Sequence, residues 1–294
     1  MKALRTSDER FADLPDWPYA PNYVDDLPGY ENLRIHYAET GEGERTFLCL
    51  HGQPTWGYLY RRMMPVFARE GRVVVPDWLG FGRSDKPAHD ADVTFALHRE
   101  MMLRFIERLD LARITLVVQD WGGLLGLTLP MEAPERYERL VIMNTALATG
   151  RSPGAGFLAW RDYSNVNPDL DIAGLMQRAC PHLCEAEAAA YAAPYPDVSY
   201  KAAVRRFPQM VMVEPHMEGV EVSKRAARWW REDWQGRSFM AVGARDPVLG
   251  PEVMARMRSV IRGCPEPLVI EEAGHFVQEW GEEVAEAALQ GLAT

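Results

Sequence analysis

The chain has 294 residues, 47% of them apolar and 25% charged, which excludes a disordered chain, a collagen-like fibre and a low-complexity tail. At about 100–200 residues per domain, it holds one large domain or two modest ones, with core enough to need no staples. Its 32 basic and 42 acidic residues leave a formal net charge of −10. That balance repels a phosphate backbone, and no Lys/Arg block rescues binding to nucleic acid or to a membrane surface.

The amino terminus, MKALRTSDERFADLPDW, is interrupted by charges and has no apolar core of signal-peptide length. No apolar run approaches the roughly 18–20 residues of a membrane span. The four cysteines, Cys49, Cys180, Cys184 and Cys264, are too few for a disulfide scaffold. A soluble cytoplasmic protein is the expectation. Leu33–Tyr37 alternates polar and apolar residues, which predicts an outer antiparallel strand. Thr46–His51, Arg72–Pro76, Ile114–Val118, Leu140–Met143, Ser238–Val242 and Pro267–Ile270 are nearly continuous apolar runs, the pattern of parallel strands covered on both faces. Between them lie helical patterns. In His98–Leu109, for example, Met102, Phe105, Ile106 and Leu109 share one face. Strand and helix in alternation predict an open, mostly parallel α/β sheet with helices on both faces.

That alternation stops between Arg151 and Pro215. Short helical patches there are separated by Pro168, Pro181, Pro194, Pro196 and Pro208. Glu185–Ala193 is rich in helix formers, and Asp197 is placed to cap a helix over Ser199–Arg206. The predicted organisation is a main domain of residues 1–150 and 216–294, with a helical cap of residues 151–215 over the strand ends, where such sheets place ligands.

The chemistry starts at LVVQDWGG, Leu116–Gly123. An apolar strand runs into a sharp Gly-rich turn and then a helix, the context of a nucleophile elbow. The chain has no G-x-S-x-G, and Asp120 stands at the nucleophile position. A helix N-cap is the plain alternative for an Asp there, but a cap has no need of the glycine pair. A carboxylate is already ionised at neutral pH and attacks without a base. It suits displacement at an sp³ carbon, giving an ester that water must then cleave with a base and an oxyanion hole. His275, after the run PLVIEE, is the candidate base. Asp246, in GARDP, is the candidate acid partner, although Asp before Pro is also common in turns. The order Asp120, Asp246, His275 is the nucleophile, acid, base order of α/β-hydrolases. The loop LHGQPTW is expected to supply an oxyanion N–H at Gln53, beside that of Trp121. His51 in that loop reads as structural. So does WLGFGR, Trp78–Arg83, expected to shape the floor of the site.

These strings resemble the haloalkane dehalogenases, in the subfamily with an Asp acid and two halide-binding tryptophans that includes the 1,2-dichloroethane-type enzymes. The resemblance rests on PNYVDDLPGY, LCLHGQPTWGYLYRRM, GFGRSDKP, ITLVVQDWGGLLGLTLP and GCPEPLVIEEAGHFVQE, and it spans nearly the whole chain. It implies an α/β-hydrolase fold with an inserted helical cap. It also implies hydrolysis of a carbon–halogen bond to alcohol and halide through an ester on Asp120, with neither cofactor nor metal. The expected partners are a haloalkane and a halide ion, and the expected assembly is a monomer. The resemblance makes Trp121 and Trp160 the halide donors, Trp160 by its GFLAW context, and has Phe157, Phe207 and Pro208 line the cavity. An indole N–H suits the task because it donates without accepting.

Three positions depart from the pattern. Gln53 replaces the Glu of familiar subfamily members, and its amide is a candidate third halide donor. Asn144 stands where a sister subfamily has its acid Glu, and an amide cannot be that acid. The stretch from Asn144 to Trp160 is short, which bears on the cap entrance. Cys180, His182 and Cys184 are close together, but structural zinc needs four ligands and no second cluster is present, so they read as cap-helix residues. An epoxide hydrolase is the rival reading, with the same Asp nucleophile and with Tyr163, Tyr191, Tyr195 or Tyr200 of the cap as acids. Gln119, where that family commonly has His, argues against it. A non-catalytic relative would be expected to lack part of the triad, and a serine esterase is excluded at the nucleophile.

Overall fold

A computed structural model describes residues 1–293. Its centre is an eight-stranded sheet made of β1 (Asn22–Val24), β2 (Ile35–Thr40), β3 (Thr46–Leu50), β4 (Arg72–Pro76), β5 (Ile114–Val118), β6 (Tyr137–Met143), β7 (Arg237–Gly243) and β8 (Leu268–Ile270). The strand order is β8-β7-β6-β5-β3-β4-β2-β1. The β1–β2 and β2–β4 pairings are antiparallel and the other pairings in this sheet are parallel. Every residue of β3 and β5 is buried, as continuous apolar strands with both faces covered require.

The chain leaves β3 towards β4 on one side and returns through helix α1 (Phe95–Arg108) to β5 on the other. The order therefore reverses between β3 and β5, and a crevice opens at their carboxyl ends. In α1, Met102, Phe105 and Ile106 are buried as the sequence predicts, and the Thr94 hydroxyl accepts from the Leu97 N–H at the amino end.

After β5 the chain turns sharply at Asp120 (φ 49°, ψ −125°) into helix α2 (Trp121–Gly126). The turn is tight because β3 lies against it. A Cβ on Gly122 would stand 1.8 Å from the Leu50 carbonyl oxygen, and one on Gly52 would stand 2.3 Å from Asp120 Oδ1. Glycine is the residue that fits both places.

Between β6 and β7 come α3 (Ala155–Val166), α4 (Ile172–Ala179), α5 (Glu185–Ala192), α6 (Ala202–Met210) and α7 (Val220–Glu232). The last two helices are α8 (Pro251–Val260) and α9 (Gly281–Ala293). Asp197 caps a short 3-10 turn, Val198–Lys201, that leads into α6. α5 is fastened to the body by ions as well as by packing. The fully buried Arg61 guanidinium donates to both oxygens of Glu279, at 2.7 and 2.8 Å, and to Glu187 of α5 at 3.0 Å. The Trp56 indole donates to the Ala190 carbonyl at 3.0 Å. Cys180 is buried at the end of α4 and Cys184 is exposed at the start of α5. The His182 ring lies edge-on to Trp280, as a packing residue would. Among the described residues no helix is long and apolar enough to cross a membrane.

Gly122→Ala should cost about 1–3 kcal/mol of stability, the usual penalty for overpacking a rigid site. Urea unfolding followed by tryptophan fluorescence measures it. An unchanged midpoint would mean that the elbow yields freely.

Candidate active site

The crevice between β3 and β5 opens into a cavity of about 1340 Å³. Asp120 lies at its inner end, where the elbow holds the side chain away from the helix it precedes. Asp120 Oδ1 accepts the Gln53 backbone N–H at 2.8 Å. Oδ2 is 3.5 Å from His275 Nε2. Trp121, the first residue of α2, has no intrahelical acceptor for its backbone N–H. Of the two N–H groups expected from the sequence, that of Gln53 contacts Asp120.

The loop after β8 brings His275 over Asp120. Its Nδ1 lies 2.7 Å from Asp246 Oδ2, on the loop after β7. Asp246 also accepts the Val248 and Leu249 N–H groups on Oδ1, at 2.8 and 3.0 Å, and the Asn144 amide on Oδ2 at 2.9 Å. Burial pushes the Asp246 pKa up, but His275 and these donors outweigh it and hold the carboxyl well below its usual range. For His275, burial lowers the pKa, while the Asp246 and Asp120 carboxylates raise it, to about 10. The three residues expected from the sequence come together, although 155 positions separate the first from the last.

Two neighbours have roles that the sequence did not show. Asn144, read there only as an amide unable to replace an acid, donates to Asp246 and accepts the Gly243 N–H at 2.8 Å. Gln119 holds its amide nitrogen 2.9 Å from His275 Nε2 and donates to the His275 carbonyl at 3.0 Å. Its Oε1 is buried and, among the described residues, unpartnered. The nitrogen end of this carboxamide fits a neutral imidazole, and the oxygen end fits an imidazolium. A glutamine just before an elbow was visible in the sequence; its partner was not.

Trp121 is 2% exposed and lines the cavity. The buried indoles of Trp56, Trp78, Trp230 and Trp234 each donate to a protein oxygen, as buried indoles usually do. The Trp121 indole N–H has no protein acceptor among the described residues. Trp160, half-buried on α3, lines the same cavity and stacks on Tyr163 at 6.0 Å between ring centroids. Phe157 and Pro208 also line it. Phe207 does not. Neighbouring helix positions point about 100° apart, and with Pro208 facing the cavity, Phe207 turns into a cluster with Phe81, His98 and Trp121, 4.7 Å behind the Trp121 ring. The expectation for Phe207 is corrected accordingly.

The Gln53 side chain is partly committed elsewhere: one amide N–H goes to the Val204 carbonyl of α6, at 3.0 Å. His51 is structural, its Nδ1 2.9 Å from the Gly52 carbonyl and its Nε2 accepting the Trp78 N–H. The Trp78–Arg83 loop lines no part of the cavity. It lies behind, with Phe81 against His51 and Phe207, so it supports the site without being its floor. Tyr163, Tyr191, Tyr195 and Tyr200 are also absent from the lining. Tyr191 is buried against Arg61 and Glu279.

Comparison with known proteins follows the same lines. Residues 45–282 match the family model described as the alpha/beta hydrolase fold. A haloalkane dehalogenase of Psychrobacter cryohalolentis is 41% identical, the match covering 99% of this chain and 98% of the relative. One of Mycobacterium marinum is 40% identical over 97% of this chain and 98% of its own length. Among solved structures, a haloalkane dehalogenase of Paraglaciecola agarilytica, described as tetrameric, is 50% identical, with a TM-score of 0.97 over 99% of this chain and 98% of that one.

Asp120→Asn keeps the shape of the side chain and removes the charge, as an ester on Asp120 would. In that variant the His275 imidazole should titrate at a lower pH than in the parent protein, because one of the two carboxylates that raise its pKa is gone. NMR of ring-labelled histidine reads this directly. An unshifted titration would mean that His275 does not feel Asp120.

Proposed function

This chain belongs to the haloalkane dehalogenases, hydrolases of carbon–halogen bonds within the α/β-hydrolase fold, and on that premise we propose how its residues divide the reaction. Asp120 Oδ2 attacks the halogen-bearing carbon. A C–O bond forms as the C–halogen bond breaks, and the halide leaves towards the indole N–H groups of Trp121 and Trp160. The free N–H of a nearly buried Trp121 is the observation that carries this reading: it is a donor left for an anion in an apolar pocket, where such donors are most effective. The second N–H of the Gln53 amide is a further donor to the halide.

Esterification discharges Asp120, so one support of the raised His275 pKa disappears at the step that needs a base. His275, having lost its proton to solvent, then takes one from water as the water oxygen bonds to the ester carbonyl carbon. Asp246, itself held by Asn144, orients the ring and balances its charge. The oxyanion forms at Oδ1, where the Gln53 and Trp121 backbone N–H groups hold it. Collapse expels the alcohol, which takes its proton from His275, and Asp120 returns to carboxylate by losing a proton to solvent. The epoxide hydrolase reading needs a tyrosine acid in the cavity, and none of the four cap tyrosines lines it.

We further propose that residues 151–215 act as a cap that closes the cavity over Asp120. A cytoplasmic location is proposed on the four free cysteines. Two assemblies suit the chemistry, the monomer expected from the family resemblance and a tetramer like that described for the relative of Paraglaciecola agarilytica. Light scattering after gel filtration distinguishes them.

Replacing His275 by Phe should leave alkylation intact and stop hydrolysis. After incubation with 1-bromobutane, mass spectrometry should find a butyl group on Asp120 and one bromide per protein. Unmodified protein after long incubation would overturn the assignment. The parent enzyme should release bromide continuously and form no diol from styrene oxide, and Asp120→Ala should abolish bromide release.

A further inference from the structure

The outer end of the cavity is charged, and nothing in the reaction of a neutral haloalkane asks for that. Five arginines line it: Arg151 before α3, Arg178 on α4, Arg231 on α7, Arg245 on the loop after β7 and Arg256 on α8. All five are exposed. Glu272 is the one carboxylate in the lining besides Asp120 and Asp246.

None of the five makes an ion pair or a side-chain hydrogen bond among the described residues. Elsewhere among the described residues fifteen arginines are ion-paired. A protein with a net charge of −10 has carboxylates enough to pair these as well. Arg178 and Arg231 sit in the last turns of their helices and complement the helix dipoles. Arg151, Arg245 and Arg256 have no such local use. Five separate segments thus place exposed, unpaired arginines in the lining of one cavity.

We propose that this arc selects haloalkanes that carry a terminal oxyanion, an ω-haloalkanoate being the simplest. Its carboxylate rests on the guanidiniums while the halogenated carbon reaches Asp120. Guanidinium is the cation best matched to a carboxylate, through two parallel N–H donors. A like-signed opening also concentrates an oppositely charged substrate and speeds its association by roughly 10–1000-fold at low salt. The cavity volume, about 1340 Å³, exceeds the roughly 300–1000 Å³ of common small-molecule sites and leaves room for a chain between the two ends. The inference rests on the dehalogenation mechanism proposed above, with Asp120 at the inner end.

The test compares ω-bromoalkanoates from 4-bromobutanoate to 10-bromodecanoate with their primary amides, by bromide release. Both members of a pair give the same halide, so an arc that served only the departing ion would treat them alike. The best acid should exceed its amide in kcat/KM by about tenfold at low ionic strength. Sodium sulfate should bring that ratio towards one. The Arg178→Gln, Arg256→Gln double variant should lower it at least about threefold, while Arg228→Gln, exposed and outside the cavity lining, should leave it unchanged. A ratio of one or less through the series overturns the proposal, as does a preference that survives both sulfate and the double variant. No bromide from either member of any pair overturns the mechanism itself, and this inference with it.

Discussion

The site depends on one steric constraint: the backbone turn at Asp120 is pressed against the end of β3. Asp120 has a positive φ, a conformation that costs a non-glycine residue on the order of 1–3 kcal/mol. Surrounding contacts hold it there. Its N–H donates to the Asn144 carbonyl at 3.0 Å, and its own carbonyl accepts the Thr145 hydroxyl at 2.7 Å. Gly52 and Gly122 let the two strands approach so closely that the Gln53 N–H reaches the nucleophile. A wider turn would separate the carboxylate from the Gln53 N–H and from His275 together.

The second organising feature is a row of charges with a single variable member. Asp246 is fixed as an anion by four donors, those of His275, Asn144, Val248 and Leu249. In the proposed reaction Asp120 changes charge. His275 lies between them, so its proton affinity follows the state of the nucleophile. The Gln119 carboxamide, with a donor end and an acceptor end, can serve the ring in either state. No residue outside this row need move for the base to be released.

The proposals give the cavity two ways of holding an anion. At the inner end are indole donors in an apolar surround, backed by Phe207 and closed in by Phe157 and Pro208. Such donors bind a weakly hydrated ion without offering a proton. At the outer end guanidiniums face water, where their charge acts at longer range and is open to screening by salt. The Arg61–Glu279–Glu187 cluster fastens α5 to the body away from the cavity lining, leaving the opening free of structural ion pairs.

The parallel strands, the helical run between β6 and β7 and the chain order of Asp120, Asp246 and His275 were legible in the sequence, for a physical reason. Buried strands must be apolar throughout, an elbow must be glycine-rich, and a carboxylate in the nucleophile position is a local fact. LVVQDWGG therefore marked Asp120 as the candidate nucleophile, and Asp246 and His275 were legible as its candidate partners from their strand-end positions. Tertiary structure alone decided which of two adjacent cap residues faces the cavity, putting Pro208 inside and Phe207 behind Trp121. It alone joined Asn144 to Asp246 and Gln119 to His275, since neither amide carries a mark of its partner. It also gathered five arginines, from Arg151 to Arg256, at one opening. Each is an ordinary surface residue in its own segment, and their meeting follows only from the tertiary fold.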